Sequence, residues 1–137
     1  MPEFTLHKQI EADSILVRNL RLSQVRLQNQ MIVPWLVLVP RRADVTEIHQ
    51  LSTEDSSVLM QEIMMASRAM EKLYAPDKIN VAALGNIVSQ LHIHIIARFT
   101  KDPAWPAPVW GKFAPQPYSL PALADLKKKF NDDDLWN

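Results

Sequence analysis

The chain has 137 residues, 47% hydrophobic and 22% charged, the balance of a single globular domain with enough apolar material for a core that needs no staples. Fifteen basic and fifteen acidic residues cancel, which argues against a surface built for nucleic acid but leaves a small nucleotide ligand open. No cysteine is present, which excludes disulfides, thiol catalysis and zinc–thiolate sites; with no signal peptide, lipidation motif or long apolar run, the expectation is a cytoplasmic protein with no membrane partner.

Residues 1–13 are mixed and polar, with room for one helical turn. Ile15, Leu16 and Val17 predict a short strand; Leu20, Leu22, Val25 and Leu27 predict a second that reaches Asn29, where Asn29-Gln30 can turn the chain. Residues 32–39 are almost wholly apolar, the composition of a central strand buried on both faces. Pro34 within it predicts a bulge or a missing ladder bond, and Pro40-Arg41-Arg42 ends it.

Ser52 opens one long helix, with Asp55 at the spacing of a capping box. Leu59, Ile63, Ala66, Met70 and Leu73 or Tyr74 form its apolar stripe, and Met60, Met64, Met65 and Met70 read as core packing. Ala75-Pro76-Asp77 stops it. Residues 79–84 form another strand, and Gly85 to Ser89 a loop. Beyond Arg98, six of the ten prolines fall between Pro103 and Pro121, with Trp105 and Trp110 among them. Two readings stand for this stretch: a tail tied down on its own domain, or an arm that crosses to a second subunit or walls an active site. Leu120 to Phe130 predicts a short helix whose Lys127-Lys128-Lys129 run is a solvated face. Strands gathered around one long helix, without strand–helix alternation, argue for an α+β fold with an antiparallel sheet.

The most informative stretch is Ser89 to Arg98, which alternates polar and branched apolar residues. Strand periodicity puts Gln90, His92 and His94 on one face, with the imidazoles roughly 7 Å apart at Cβ. Such a pair is a solvated strand face, half of a metal site, or a nucleophilic or acid–base centre. A metal site needs further ligands, and no HExxH or CxxC motif accompanies the pair.

The run Gln90-Leu-His92-Ile-His94-Ile95-Ile96 resembles the histidine-triad (HIT) signature, His-φ-His-φ-His-φ-φ, with Gln in the first place. Val33-Pro34 followed by Leu36 to Arg41 is similar to the family's Pro-Gly-His-x-Leu-x-x-Pro strand, and Gly85 to Ser89 is similar to the run before its triad. The likeness spans about residues 14–106, leaving 107–137 as a carboxy-terminal extension of a single domain. It implies a five-stranded antiparallel sheet with one long helix and a shorter one, paired as a homodimer whose carboxy-terminal segments reach towards the neighbouring subunit's site. It also makes His92 the nucleophile on the α-phosphate of a nucleotide or nucleotide conjugate. His92 would be aimed by the backbone carbonyl of Gln90, and His94 would contact the phosphate and leaving-group side.

Three positions depart from the family pattern. Gln90 and Leu36 stand where the family commonly pairs two histidines, so both halves of one pair are changed and the support reads as repacked. Ile87 stands where the family often has a Ser or Thr donor, with Ser89 as a possible replacement. Asn86, Ser89 and the loop N–H groups are candidate phosphate contacts. Asn29 is the candidate ribose contact, with Gln28 as runner-up, and Arg98 is either a phosphate contact or a strand-end surface charge. The implied activity is nucleotide hydrolysis or nucleotidyl transfer with no required cofactor, magnesium entering only with a polyphosphate substrate. The alternatives are a nucleotide-binding regulatory module with little turnover and, third, a metal-binding protein.

Overall fold

The structure is a computed structural model describing residues 2–137. In chain order the elements are α1 (Lys8–Asp13), β1 (Ser14–Asn19), β2 (Ser23–Gln28), β3 (Trp35–Pro40), a 3₁₀ turn (Ile48–Gln50), α2 (Thr53–Tyr74), β4 (Lys78–Ala82), β5 (Ile93–Arg98), α3 (Leu120–Phe130) and α4 (Asp133–Trp136). The strands form one antiparallel sheet in the order β1-β2-β3-β5-β4, so the fold is the expected α+β arrangement.

Strand β3 is buried along its whole length, as its apolar run predicts. Its two faces serve different layers. Leu36 and Leu38, with Ile93, Ile95 and Ala97 of β5, pack against Val58, Leu59, Ala66, Ala69 and Met70 of α2. Trp35, Val37 and Val39, with Ile96, pack against Ile10 and Val109 on the opposite side. The sheet is therefore sandwiched between α2 and a layer made by the amino-terminal segment and residues 109–113. That second layer carries the site.

Helix α2 begins where its cap predicts: Ser52 Oγ accepts the N–H of Asp55. It ends at Ala75, which adopts a left-handed conformation at φ 48°. The methionine reading needs correction. Met70 is fully buried, but Met60 and Met64 are 56% and 46% exposed, because they fall outside the stripe that faces the sheet. Glu62 takes a place in that stripe instead. The residue is 2% exposed, and its carboxylate accepts the N–H groups of Leu22 (2.8 Å) and Ser23 (3.0 Å) at the β1–β2 turn.

Other boundaries moved for local reasons. Pro34 has no N–H to give to a ladder, and β3 starts one residue later rather than bulging around it. The last two residues of the expected 79–84 strand fall beyond β4, and the triad strand pairs only from Ile93. The carboxy-terminal helix forms as expected, with Ser119 as its cap. Phe130 (0% exposed) and Trp136 (8%) enter the α2-side core, so residues 120–136 complete the domain rather than extend from it.

Candidate active site

The chain reaches β5 through an irregular stretch, residues 83–92. Gly85 turns it at φ +74°, a conformation that L side chains rarely adopt. Leu91 is pinned by its N–H to the carbonyl of Val45 (2.9 Å). His92 stands just before β5 and His94 within it, opposite Val37 of β3 and Ala82 of β4.

Strand alternation therefore does not extend back to Gln90, and its side chain does not join the histidines. Gln90 Nε2 donates to the carbonyl of Thr5 (2.8 Å), and its Oε1 accepts the N–H of His7 (2.8 Å). The amide reads the backbone of the amino-terminal segment much as a neighbouring strand would. Leu36 lies in the α2-side core, so the expected repacked Leu36–Gln90 pair is replaced by two separate environments.

What Gln90 gives to the histidines is its backbone carbonyl. His92 Nδ1 lies 2.6 Å from it. A carbonyl oxygen only accepts, so Nδ1 carries the hydrogen and Nε2 keeps its lone pair. The indole Nε1–H of Trp35 donates to His94 Nδ1 at 3.0 Å. The two imidazoles are 4.9 Å apart in an edge-to-face arrangement, and Trp110 packs edge-on to both His94 (5.2 Å) and Trp35 (5.6 Å). Burial, and secondarily the neighbouring His92, push the pKa of His94 down to about 4.

Both histidines line a cavity of ≈ 420 Å³, a size suited to a small ligand. Its floor is Trp35, Val37 and Trp110; α1 supplies Gln9, Ile10 and Asp13, β2 supplies Gln28, and the loop supplies residues 84–88. Among the described residues, the backbone N–H groups of Asn86, Ile87, Val88 and Ser89 donate to no protein acceptor. Such a row of free donors beside an imidazole suits an anion. Among the described residues, no Lys or Arg lines the cavity. Among the described residues, no three His, Asp or Glu side chains converge as a metal-binding set.

The other expected contacts divide. Asn86 lines the cavity, while Ser89 lies outside its lining. Asn29 Oδ1 accepts the N–H of Tyr118 (2.9 Å) and lines a neighbouring depression, whereas Gln28, the runner-up, lines both. Arg98 needs correction on both readings. It is 1% exposed and bonded to Asp102 (2.8 and 3.0 Å), Asn80 Oδ1 (2.9 Å) and the carbonyl of Ala107 (2.8 Å), with its guanidinium 5.7 Å from the Trp105 ring. It is a buried structural hub, neither a surface charge nor a cavity residue.

Sequence reading missed Trp35, Gln9 and Asp13, while Trp110 lines the cavity as the active-site-wall reading of its stretch allowed. A signal existed for Trp35: it shares strand parity with Val37, on the strand beside the histidines. None existed for α1, whose approach to the cavity depends on the Gln90 contacts 83 and 85 residues away in sequence.

The chain belongs to the HIT family: a HIT domain family model matches residues 9–101. It is similar to the crystal structure of a histidine triad protein from Marinobacter aquaeolei VT8 at 43% identity and TM-score 0.93, covering 98% of this chain and 97% of that one. A histidine triad protein from Bradyrhizobium japonicum matches at 43% identity and TM-score 0.91, covering 94% and 96%. A hypothetical histidine triad nucleotide-binding protein from Sulfolobus tokodaii, at 14% identity and TM-score 0.67 over 93% and 87%, shares the fold. No curated protein matches the chain significantly. Family membership supports a nucleotide-binding, hydrolase or transferase kind of function.

Proposed function

We propose that the protein is a nucleotide hydrolase or nucleotidyl transferase acting at an α-phosphate through a covalent nucleotidyl-His92 intermediate. The observation that carries this reading is the 2.6 Å contact between His92 Nδ1 and the Gln90 carbonyl, which leaves the Nε2 lone pair as nucleophile. Nε2 attacks phosphorus, an N–P bond forms, and the bond to the leaving group breaks with its electron pair on that group, which takes a proton from solvent where it departs as an amine. The ring becomes a nucleotidyl-imidazolium whose Nδ1–H still donates to Gln90. Water then attacks phosphorus, the N–P bond breaks, and one proton passes to solvent. The loop N–H groups and Asn86 meet the phosphate oxygens. Substrates of the class are dinucleoside polyphosphates, nucleoside phosphoramidates and related adenosine or guanosine phosphates.

The active form we propose is a homodimer without a resident metal. Strand β4 has one unpaired edge, and Val81 (48%) and Leu84 (47%) are exposed on or just beyond it, the kind of edge that pairing between subunits covers. One observation favours the second reading, a binding module with little turnover: Ile87, 98% exposed on the cavity-lining loop, has no hydroxyl to offer a leaving group. Intact-mass spectrometry of the protein mixed with a panel of adenylated compounds tests the two. A one-nucleotide adduct that maps to His92 supports the enzyme, and stoichiometric binding without adduct or turnover selects the module.

A further inference from the structure

Trp35 stands in an unusual relation to His94. An indole N–H is a donor only, with no lone pair to offer in return. Its hydrogen bond to His94 Nδ1 at 3.0 Å therefore requires the lone pair to be on Nδ1. The hydrogen of the neutral ring is then on Nε2, across the ring from Trp35. A protonated imidazole has hydrogens on both nitrogens, and its Nδ1–H would point at the indole N–H. His92 is held the other way round, because its Nδ1 faces a carbonyl that only accepts. The two adjacent histidines are thus fixed in opposite tautomers by two partners of opposite character.

We propose that Trp35 is a positioning residue that locks His94 as a neutral Nε2–H donor, so that His94 binds a phosphate oxygen at neutral pH and does not serve as a cationic acid. The surroundings agree. Trp35 is 7% exposed and wedged against Trp110, so its indole has little freedom to turn away. Besides His94, the titratable groups that the surrounding elements bring to the cavity lining are His92, before β5, and Asp13, on α1; Lys8 and Glu11 of α1, Arg26 of β2 and Lys78 of β4 lie outside it, and β3, the 84–88 loop and Trp110 bring none. Asp13 has both carboxylate oxygens engaged by Gln9 Nε2 at 3.0 Å. The downward displacement of the His94 pKa comes from burial and from His92, and the indole bond reinforces the same preference. A neutral donor also has a chemical advantage here. It contacts phosphate without placing a second positive charge 4.9 Å from the ring that becomes an imidazolium in the covalent intermediate.

The role in phosphate binding rests on the function proposed above, but the tautomer lock does not, and it is tested without substrate. In protein labelled with ¹⁵N-imidazole, long-range proton–nitrogen correlation spectra report which His94 nitrogen carries the hydrogen. The expected spectrum has a pyrrole-type Nε2 and a pyridine-type Nδ1, unchanged from pH 8 to pH 5. Trp35→Phe keeps a ring but removes the donor, so His94 should lose its single tautomer and titrate closer to the ordinary value of about 6.5. The kcat–pH profile of an active Trp35→Phe protein should differ from the parent's on its acid side. A parent spectrum with hydrogen on Nδ1, or with His94 titrating near pH 6.5, overturns the lock even if the variant does not fold. A folded Trp35→Phe protein with the parent's tautomer and titration also overturns it.

Discussion

Two polar clusters at opposite ends of one stretch of chain make an instructive contrast. Around Arg98, four of the five guanidinium N–H groups are met by Asp102, Asn80 and Ala107, and Asp102 in turn accepts the N–H groups of Phe99, Ala104 and Trp105. Around His92 and His94, each ring has one nitrogen fixed by the protein and one left over, beside a row of unused backbone donors. Both clusters are rich in polar atoms and both lie largely out of solvent. A closed hydrogen-bond inventory marks the one that holds the fold, and an open inventory facing a cavity marks the one that meets a ligand.

The sharpest way to break this contrast is to exchange the consequences. His92→Ala should cost turnover on the order of a thousandfold, about 4 kcal/mol in barrier, with nucleotide affinity within about tenfold and the melting temperature nearly unchanged. Equal turnover by mutant and parent, measured on any substrate the parent processes, removes His92 from the mechanism. Asp102→Asn should do the reverse. It leaves the buried Arg98 charge without its counter-ion, and chemical denaturation should show a loss of about 3–5 kcal/mol.

Acid should separate the two clusters as well. The folded pKa of His94, about 4, lies below its ordinary 6.5, so the unfolded chain takes up the proton first. The associated stability is complete above about pH 6.5 and is lost as pH falls towards 4, a displacement worth about 3 kcal/mol. For Asp102, burial alone would raise the pKa, but hydrogen bonds from Arg98, Phe99 and Ala104 and the Arg98 charge outweigh it and hold the carboxyl at about 2, below its ordinary 3.8. That stability is present above pH 3.8 and is lost as pH falls through 2. Urea titrations from pH 7.5 to 4.5 should therefore show a decline that His94→Gln flattens and Asp102→Asn leaves in place. The smallest expected effect belongs to Gln90→Ala. It removes two neutral hydrogen bonds, about 0.5–1.5 kcal/mol each, and should free the His7 N–H to hydrogen exchange while lowering the rate far less than His92→Ala. A loss as large as that of His92→Ala would assign Gln90 a chemical role.

Much of this was legible beforehand, and the reasons are local. β3 announces itself by an unbroken apolar run, α2 by a cap and a stripe, and the histidine pair by its spacing. The errors fall where distant chain decides. Arg98 looks like a strand-end charge until Asp102 and the 104–107 turn close over it. Met60 and Met64 read as core because composition does not say which side of a helix meets the sheet. The strand period extended to Gln90 fails because the amino-terminal segment takes its side chain. The 103–121 stretch, read as either tail or arm, contains a cavity wall, Trp110, and the segment after it brings core residues, Phe130 and Trp136. Cutting before Pro103 would therefore unfold the domain rather than test assembly, and sedimentation of the full chain at micromolar concentration is the cleaner check of the homodimer.

The buried Glu62 carboxylate has a kinetic consequence. The β1–β2 turn closes locally, from the Leu20 N–H to the Ser23 carbonyl (2.9 Å), but the backbone donors of Leu22 and Ser23 are met from 40 and 39 residues downstream. Those two donors leave water only when α2 docks. The first meander of the sheet and the long helix α2 are thereby coupled in folding, with loop-closure entropy opposing the step. Glu62→Gln and a conservative truncation in the turn should consequently give matching φ-values rather than independent ones.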